Sequence, residues 1–343
     1  MRRRRVLLSA VVLAAAACSS KWQVRSSPSP VALQWPFPPG KAKLTFVASW
    51  TGFSPRKGAG QALRTLAYGG QPEERDAFVL PVDAAKGADG RIAVADLGRR
   101  CVHLFVPEQQ KYLRLTGAKD HPLVSPVALA FDEASHLYVS DSAGAVVGFD
   151  AGGEVLFTVT EALRRPTGIA YSPRKKLLYV VDTLANEVRV LRTDGSSVSS
   201  FGARGEEAGG FNFPTHIAWS PKGELYVTNT LAFRIEIFDE DGKPKGSFGR
   251  HGDGSGDLAM PKGIAVDRDG VVYVVDGLFD NVQLFSRAGE FLLTLGRRGT
   301  DLGEFWLPSG ASIAADGELL VCDTYNRRVQ VFRITEGYAD QAL

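Results

Sequence analysis

Long amphipathic segments, cysteine and histidine are all scarce in this sequence. Its 343 residues are 44% hydrophobic, yet they include only three cysteines and five histidines. Short runs of Val, Ile, Tyr and Phe, separated by clusters of Gly, Pro, Asp and Ser, stand where helix-period patterns would otherwise be. This arrangement predicts an all-β protein with one large core or two smaller ones.

The sequence also lacks an apolar run that would cross a bilayer comfortably. The run at residues 6–17 spans 12 residues, follows the basic stretch MRRRR and precedes small residues. A transmembrane helix needs about 20 apolar residues. The pattern therefore predicts a secretory signal peptide over residues 1–17.

A cysteine stands directly at the end of that apolar run. The stretch Ala15-Ala16-Ala17-Cys18 resembles a bacterial lipobox, which implies a lipid on Cys18. The protein is then expected to be exported and anchored, on the periplasmic side of a bacterial membrane or at the cell surface, with the outer membrane favoured. Ala15 stands where the lipobox prefers Leu, so ordinary signal cleavage stays open. The Ser- and Pro-rich residues 18–41 are predicted to form an extended tether.

A strong charge of either sign is absent from the mature chain. The whole sequence has 40 basic and 38 acidic residues and a net charge of +2. Four of the basic residues are the leader arginines, so removal of the leader brings the net charge to −2. Binding to nucleic acid requires a basic surface, and the composition therefore argues against a nucleic-acid partner.

Two cysteines, Cys101 and Cys322, belong to the predicted mature domain. They could form a disulfide in an oxidising compartment. Disulfide geometry is demanding, however, and we favour two separate, partly buried thiols.

A glycine-rich stretch recurs every 47 residues: FGARGEEAGGFNFP (201–214), FGRHGDGSGDLAMP (248–261) and LGRRGTDLGEFWLP (295–308). A phosphate-binding loop would carry a Lys-Ser/Thr pair and lead into a helix, and these stretches do neither. We therefore interpret them as linkers whose glycines permit sharp turns. Phe211, Leu258 and Phe305 are expected to wedge between structural repeats.

The linkers separate six copies of one strand-rich unit of 40 to 48 residues. The copies begin near Pro81, Pro126, Pro166, Pro214, Pro261 and Pro308. The second strand of each copy closes on an acidic or amide residue, in order Asp96, Asp141, Asp182, Asn229, Asp276 and Asp323. One unit cannot bury both faces of its sheet, so the spacing predicts a six-bladed β-propeller. A side chain repeated in nearly every blade is expected to cap nearby backbone N–H groups rather than to form a carboxylate site.

The sixth copy supplies only three strands, because its fourth is missing from the C-terminal side. The stretch LTFVASW (44–50) has no partner of its own and is predicted to close the last blade. The propeller then covers residues 42–335, and residues 336–343 form a C-terminal tail. Residues 54–77 are expected to bridge the closing strand and blade one, with one short helix.

The repeat pattern P-x-G-I-A-x-x-x-x-G-x-x-Y-V-x-D-x-x-x-x-x-V-x-x-F resembles the NHL-repeat family over residues 42–335, and repeats four to six match best. The whole arrangement resembles the exported six-bladed NHL lipoproteins of bacteria. That resemblance implies a binding module, although a peptide-amidating lyase and, more distantly, lactonases are enzymatic relatives. The expectation is therefore a non-catalytic scaffold, monomeric and without a cofactor or metal.

A channel site is the main alternative to a scaffold. Asp83 and His216 stand at the third position of the first strand in blades one and four, which face each other across a six-fold ring. They suit acid–base chemistry or a metal. A catalytic zinc needs about three protein ligands and calcium needs several oxygens, so the set is thin for either. A channel-site enzyme, lyase or lactonase-like, and a glycan or small-ligand binding protein both stay open.

The predicted binding surface lies on the face that carries the linkers. It combines apolar side chains with basic ones, as protein-interface hot spots do. Its members are Leu231, Phe233, Leu278, Phe279, Tyr325, Arg297, Arg298, Arg327 and Lys262. The expected partner is an envelope or extracellular protein. The alternative is that the apolar side chains tuck between blades while the arginines form a solvated rim.

Overall fold

The computed structural model describes residues 21–56 and 76–335. The predicted signal peptide, Cys18, most of the predicted bridge and the C-terminal tail lie outside these residues. Within the described part, no helix is long and apolar enough to traverse a bilayer.

The described residues form 28 strands and one short 3-10 helix, Thr230–Ala232. In chain order the strands are Trp22–Pro28 (β1), Gln34–Trp35 (β2), Leu44–Pro55 (β3), Pro81–Lys86 (β4), Ile92–Asp96 (β5), Cys101–Val106 (β6), Lys111–Leu115 (β7), Pro126–Phe131 (β8), Leu137–Asp141 (β9), Ala145–Phe149 (β10), Val155–Val159 (β11), Pro166–Ser172 (β12), Leu177–Asp182 (β13), Glu187–Arg192 (β14), Ser197–Phe201 (β15), Ala203–Arg204 (β16), Gly210–Phe211 (β17), Pro214–Trp219 (β18), Glu224–Asn229 (β19), Arg234–Asp239 (β20), Pro244–Phe248 (β21), Pro261–Val266 (β22), Val272–Asp276 (β23), Asn281–Phe285 (β24), Phe291–Leu295 (β25), Ala311–Ile313 (β26), Glu318–Asp323 (β27) and Arg328–Ile334 (β28).

These strands build six antiparallel blades, so the predicted six-bladed propeller is confirmed. Blades one to five are the consecutive four-stranded sheets β4–β7, β8–β11, β12–β15, β18–β21 and β22–β25. The innermost strands contact one another in the order β4, β8, β12, β18, β22 and β26, and β26 contacts β4 again. This ring places blades one and four on opposite sides of a central channel.

Blade six joins the two ends of the described chain. Its C-terminal strands β26, β27 and β28 are completed by β3, which pairs antiparallel with β28 through Val329 opposite Trp50 and Phe332 opposite Phe46. The prediction that an N-terminal strand closes the last blade is therefore confirmed. Closure leaves no gap between blades six and one, and the Thr324 hydroxyl donates to the Pro81 carbonyl oxygen at 2.8 Å across that junction.

Two described strands that precede β3, β1 and β2, also belong to blade six, whereas the sequence predicts an extended tether there. β1 pairs with β3 as a further outer strand, and β2 pairs with the start of β3. Aromatic side chains account for this difference. Trp22 packs on Tyr112 at a centroid distance of 4.6 Å, and Trp35 is buried edge-on against Phe332 at 5.5 Å.

The core lies between neighbouring blades, where each sheet buries both faces. Four second strands bury a tyrosine at the same position, namely Tyr138, Tyr179, Tyr226 and Tyr273. Each buried aromatic side chain contributes roughly 1.5–3 kcal/mol through removal of apolar area from water. Cys101 and Cys322 are separate buried thiols.

The repeated acidic residues hold the linkers to the blades. The Asp96 carboxylate accepts hydrogen bonds from the Val79 and Leu80 N–H groups at 2.7 and 3.0 Å, and the Asp276 carboxylate accepts one from Ala259 at 2.7 Å. Asn229 accepts the Asn212 N–H through its amide oxygen at 2.7 Å. The glycine-rich linkers end on side chains that are fully buried, Phe211, Leu258 and Phe305. Capping and packing thus occupy these stretches.

Candidate functional site

The propeller has two faces, which the direction of the inner strands defines. Each inner strand of blades one to five starts at its proline on the linker face, where the chain arrives from the preceding blade, and β26 of blade six starts three residues after Pro308. Each inner strand ends on the opposite side, the hairpin face, where a tight turn leads into the second strand. Asp83 and His216, at the third position, therefore lie nearer to the linker face, and the sixth positions lie at the hairpin face.

A cavity of about 240 Å³ occupies the centre of the ring. Asp83 and His216 both line it, on opposite walls, together with residues of all six inner strands. The fifth position of these strands is small in every blade: Ala85, Ala130, Ala170, Ala218, Ala265 and Ser312. These small side chains leave space between the Asp83 level and the hairpin face.

A second cavity of about 440 Å³ adjoins the first on the hairpin face. The two cavities share Trp219, Val266 and Ile313. The second is otherwise lined by the turns of blades four to six, including Asp267 and Asp316. A ligand in the channel can therefore extend over this face.

Glycine at the third position brings neighbouring inner strands together. A Cβ at Gly168 would lie 2.7 Å from the His216 Cα, and one at Gly310 would lie 2.6 Å from the Val82 carbonyl oxygen. Both distances are shorter than real Cβ contacts allow, so these two positions serve close packing. Asp83 and His216 are the two side chains at this level that carry polar groups.

Asp83 is a carboxyl group held in a poorly solvated place. Its side chain is 8% exposed, and Oδ2 accepts the Leu129 N–H of blade two at 2.8 Å. Burial raises the pKa of Asp83 from 3.8 to about 7, although the Leu129 and Ala84 N–H groups oppose this shift. At neutral pH the group therefore exchanges between acid and carboxylate, which is the property of an acid–base catalyst.

His216 is an uncharged imidazole. Burial, and then the nearby positive charge of Lys262, lowers the pKa of His216 to about 3. Burial also lowers the pKa of Lys262 itself. At neutral pH the ring therefore carries one N–H proton, which lies on either Nδ1 or Nε2.

A chain of hydroxyl groups assigns that proton. The Thr230 hydroxyl donates to the Pro261 carbonyl oxygen at 2.9 Å, so its oxygen accepts from Thr215 at 2.7 Å. Thr215 has then used its proton, and its oxygen accepts from His216 Nδ1 at 3.1 Å. The hydrogen bonds thus assign the proton to Nδ1 and leave Nε2 as an acceptor.

The hairpin-face mouth of the channel carries aromatic side chains that the sequence analysis did not single out. Phe131, Tyr171 and Trp219 occupy the sixth position in blades two, three and four. Lys86 holds the same position in blade one and pairs with Asp316 at 2.5 Å. These residues could have been found in the sequence by comparing the sixth position of the inner strand across all blades.

The predicted binding surface is distributed over the linker face. Leu231, Leu278 and Tyr325 are each at least half exposed, and Arg327 is exposed. Arg297 and Arg298 are also exposed, and each lies near an acidic side chain: Arg297 pairs with Glu304 at 2.9 Å, and Arg298 lies 3.9 Å from Asp280. Phe233 packs on His251 at 4.3 Å, and Phe279 and Lys262 are half-buried.

The described part of the chain provides too few ligands for a metal centre. No group of three or more His, Cys, Asp or Glu side chains there could hold a metal ion. The channel offers one carboxylate and one imidazole on opposite walls. This donor set does not fit the zinc or calcium sites that the family resemblance brings to mind.

Comparisons with known proteins agree with the repeat assignment. The family model of the NHL repeat matches residues 305–332, so the predicted NHL-repeat propeller is confirmed. None of the curated proteins compared with the chain matches it.

Solved structures share the fold at low identity. A streptogramin B lyase is 11% identical with a TM-score of 0.57, over 74% of this chain and 93% of that chain. Virginiamycin B lyase from Staphylococcus aureus is 13% identical with a TM-score of 0.56, over 76% and 86%. XC5397, a gluconolactonase from Xanthomonas campestris, is 20% identical with a TM-score of 0.58, over 75% and 87%.

These similarities correct one expectation from the sequence. The resemblance to binding modules led us to expect a protein without catalytic activity. Three of the propellers most similar in structure are enzymes, two lyases and a gluconolactonase, which contradicts that expectation. At such identities the likeness establishes the fold, and the chemistry has to be argued from the channel residues.

Proposed function

We propose that this NHL-repeat propeller is an acid–base enzyme whose active site is the central channel. The observation that carries the proposal is the placement of a buried carboxyl group and a neutral imidazole in the wall of one cavity, Asp83 opposite His216. A cavity with few, convergent polar groups in an apolar wall is the usual form of a small-molecule site.

Asp83 is the proton-transfer group. A general acid–base works best when its pKa lies near the operating pH, and burial brings the pKa of Asp83 to about 7. Oδ2 is fixed by the Leu129 N–H at 2.8 Å, which orients the carboxyl group on the channel wall. The proton can therefore be taken up and returned by one group in a fixed position.

His216 positions the substrate. With the proton on Nδ1 held by Thr215, Nε2 can accept a hydrogen bond from a hydroxyl group or a water molecule. The low pKa of His216, about 3, keeps the ring uncharged over the physiological range. It accordingly holds its partner without changing charge.

The reaction class that fits this pair is hydrolysis of an ester or lactone. The Asp83 carboxylate removes a proton from water while the water oxygen bonds to the carbonyl carbon. The carbon–oxygen bond of the ester then breaks, and protonated Asp83 returns the proton to the leaving alkoxide. Atoms and charge balance with water as the only co-reactant. Support comes from the gluconolactonase among the similar structures.

The test is a pH profile of ester hydrolysis. The purified chain is assayed with small aryl esters and with aldonolactones, and kcat/KM is measured from about pH 5 to about pH 9. The wild type should show a rising limb with an apparent pKa near 7. Asp83→Asn should abolish this limb and lower kcat/KM by at least about a hundredfold. Asp132→Asn is the matched control, because Asp132 is a half-buried acid that bonds His136 and Tyr138 away from the cavity.

Two results would overturn the proposal. One is hydrolysis that survives Asp83→Asn with an unchanged pH profile. The other is the absence of any hydrolysis by folded protein across both substrate sets. Elimination products in place of hydrolysis products would keep the acid–base site and replace the reaction class.

A second candidate function is docking of a protein on the linker face, independent of chemistry in the channel. Four side chains at one repeat position stand at least half exposed in consecutive blades: Leu184, Leu231, Leu278 and Tyr325. Arg297, Arg298 and Arg327 are exposed as well. The complementary partner is an envelope protein that presents carboxylates around an apolar centre. The predicted Cys18 anchor would hold the propeller near such a partner.

A photo-crosslinking amino acid tests the docking surface. Placed at Leu278 or Tyr325, it should yield the same crosslinked species, and Arg327→Glu should remove it. The control position is Leu156, which is equally exposed but lies on an outer strand. The same species from Leu156, or none from the linker face, would refute the docking surface.

A further inference from the structure

We infer that the hairpin-face mouth of the channel is a subsite for an aromatic group of the substrate. The inference rests on the proposed function, because it names the substrate class of the same site. Three aromatic side chains at one repeat position in consecutive blades form the subsite, Phe131, Tyr171 and Trp219.

The three aromatic residues cover half of the mouth. All of them line the central cavity, and all are half-buried, so part of each ring faces the open space. The other half of the mouth is formed by Val266, Ile313 and Lys86 at the same strand position. A planar group entering here would contact aromatic side chains on one side and Val266, Ile313 and the Lys86 side chain on the other.

The polar atoms of this mouth already have partners within the protein. The Trp219 indole N–H donates to Glu240 at 2.8 Å, and the Tyr171 hydroxyl donates to Glu133 at 2.8 Å. The Lys86 ammonium bonds both Asp316 and Glu318. A sugar would need free donors and acceptors beside the aromatic side chains, whereas these bonds already occupy the polar groups of Trp219, Tyr171 and Lys86. The geometry therefore favours an aromatic group over a sugar.

The indole ring is held in one orientation before any ligand arrives. Glu240 is itself buried and also accepts hydrogen bonds from Ser172 and Arg174. A carboxylate fixed by three donors fixes its indole partner in turn. A preorganised ring loses little side-chain entropy on binding, which favours affinity.

The dimensions of the space suggest how such a substrate lies. The narrow part, lined by the alanines of the inner strands, leads from the mouth to Asp83. The wider second cavity adjoins at Trp219 and measures about 440 Å³. A slender polar end therefore reaches Asp83 while the aromatic group stays at the mouth. An ester that bears an aryl group has this shape.

The test uses 2-naphthol as the probe and measures binding without turnover. In ¹⁵N-labelled protein, the indole N–H signal of Trp219 is assigned by its loss in Trp219→Phe. Titration with 2-naphthol should shift this signal saturably and leave the signal of Trp306 unchanged. Trp306 is the internal control, because it is an exposed tryptophan on the linker face.

Two variants remove ring surface from the subsite. Phe131→Ala and Trp219→Ala should each weaken 2-naphthol binding by about three- to tenfold, the loss expected for one aromatic contact. Trp306→Ala, the matched control, should leave binding unchanged. Phe131→Ala keeps the test decisive if loss of the Glu240 contact prevents Trp219→Ala from folding, and thermal melts verify the fold of each variant.

The outcomes separate the subsite from the proposed function. No shift of the Trp219 signal, an equal shift of Trp306, or tighter binding of methyl glucoside than of 2-naphthol would each overturn the subsite. Because 2-naphthol is not an ester, its binding does not require catalysis. Failed ester hydrolysis with intact 2-naphthol binding would refute the acid–base enzyme alone, and the reverse result would refute the subsite alone.

Discussion

Replacement of Asp83 by Asn should change how the stability of the propeller depends on pH. The folded protein holds the Asp83 proton up to about pH 7, whereas the unfolded chain releases it near 3.8. The folded state therefore binds more protons than the unfolded state between these two values. The free energy of unfolding must fall as the pH rises through this window and level off above it.

The size of the effect follows from the two pKa values. One pKa unit corresponds to about 1.4 kcal/mol, so the shift from 3.8 to about 7 costs the folded state about 4 kcal/mol above neutral pH. The unfolded chain is already partly ionised at about pH 5, and about 2.5 kcal/mol of the loss falls between about pH 5 and about pH 8. Asp83→Asn keeps an oxygen for the Leu129 N–H and removes the titration.

The assay is urea unfolding of both proteins at the two pH values, followed by tryptophan fluorescence. The difference between wild type and Asp83→Asn cancels the contributions of other titrating groups, such as Asp267 and Asp323, whose burial also raises their pKa. Relative to wild type, the variant should gain about 2.5 kcal/mol on going from about pH 5 to about pH 8. An equal difference at both pH values would show that the Asp83 carboxyl is ordinarily solvated, and the acid–base argument would fail with it.

Three further changes test the fold that supports the channel. A Cβ on Gly310 would lie 2.6 Å from the Val82 backbone oxygen and closer still to Asp83 Oδ1, so Gly310→Ala should lower the free energy of unfolding by more than about 2 kcal/mol. A Cβ on Gly205 would meet only the Gly210 Cα, at 4.0 Å, so Gly205→Ala should be neutral in urea unfolding. Thr324→Val removes the 2.8 Å hydrogen bond that joins blades six and one, and unfolding should become easier by about 1–3 kcal/mol. Burial opposes protonation of His103, but Asp96 and Cys101 raise its pKa above the usual value. Protonated His103 therefore stabilises the folded protein below pH 6.5, and this contribution is lost as the pH rises through the folded pKa. His103→Gln should remove this pH dependence of the free energy of unfolding, and a wild-type slope in the variant would contradict it.

The fold could be predicted because the same sequence pattern recurs in every blade of a propeller. Every blade begins with a proline, turns at a hairpin and ends its second strand on Asp or Asn, so six weak signals reinforce one another. The closing strand β3 was predictable from the count, since the last repeat lacked one strand. The outer strand β1 was not, because its Trp22 packs on Tyr112 of the neighbouring blade one, which lies far away along the chain.

The candidate site was predictable only in part. The repeat alignment placed Asp83 and His216 on opposite sides of the channel, which is a matter of topology. Their pKa values depend on how closely the inner strands approach one another and on how well they exclude water. The repeat pattern of the sequence does not specify that distance. The aromatic mouth escaped notice for a different reason: Phe131, Tyr171 and Trp219 look like ordinary strand residues until the same position is compared across blades.

The placement of differences within the repeat is what links this fold to the chemistry that we propose for it. Positions that serve architecture are nearly uniform, as with the Asp residues that hold the linkers and the tyrosines buried between blades. At the third position of the inner strand, glycine or alanine serves packing in four blades, and a larger side chain there displaces a neighbouring strand or must be accommodated by it. Asp83 and His216 occupy that position in the other two blades. Burial there raises the pKa of Asp83 and so disfavours its ionised form. A buried acid that destabilises its fold above neutral pH, and that a smaller residue could replace, is more readily explained by a function in the channel than by the needs of the propeller.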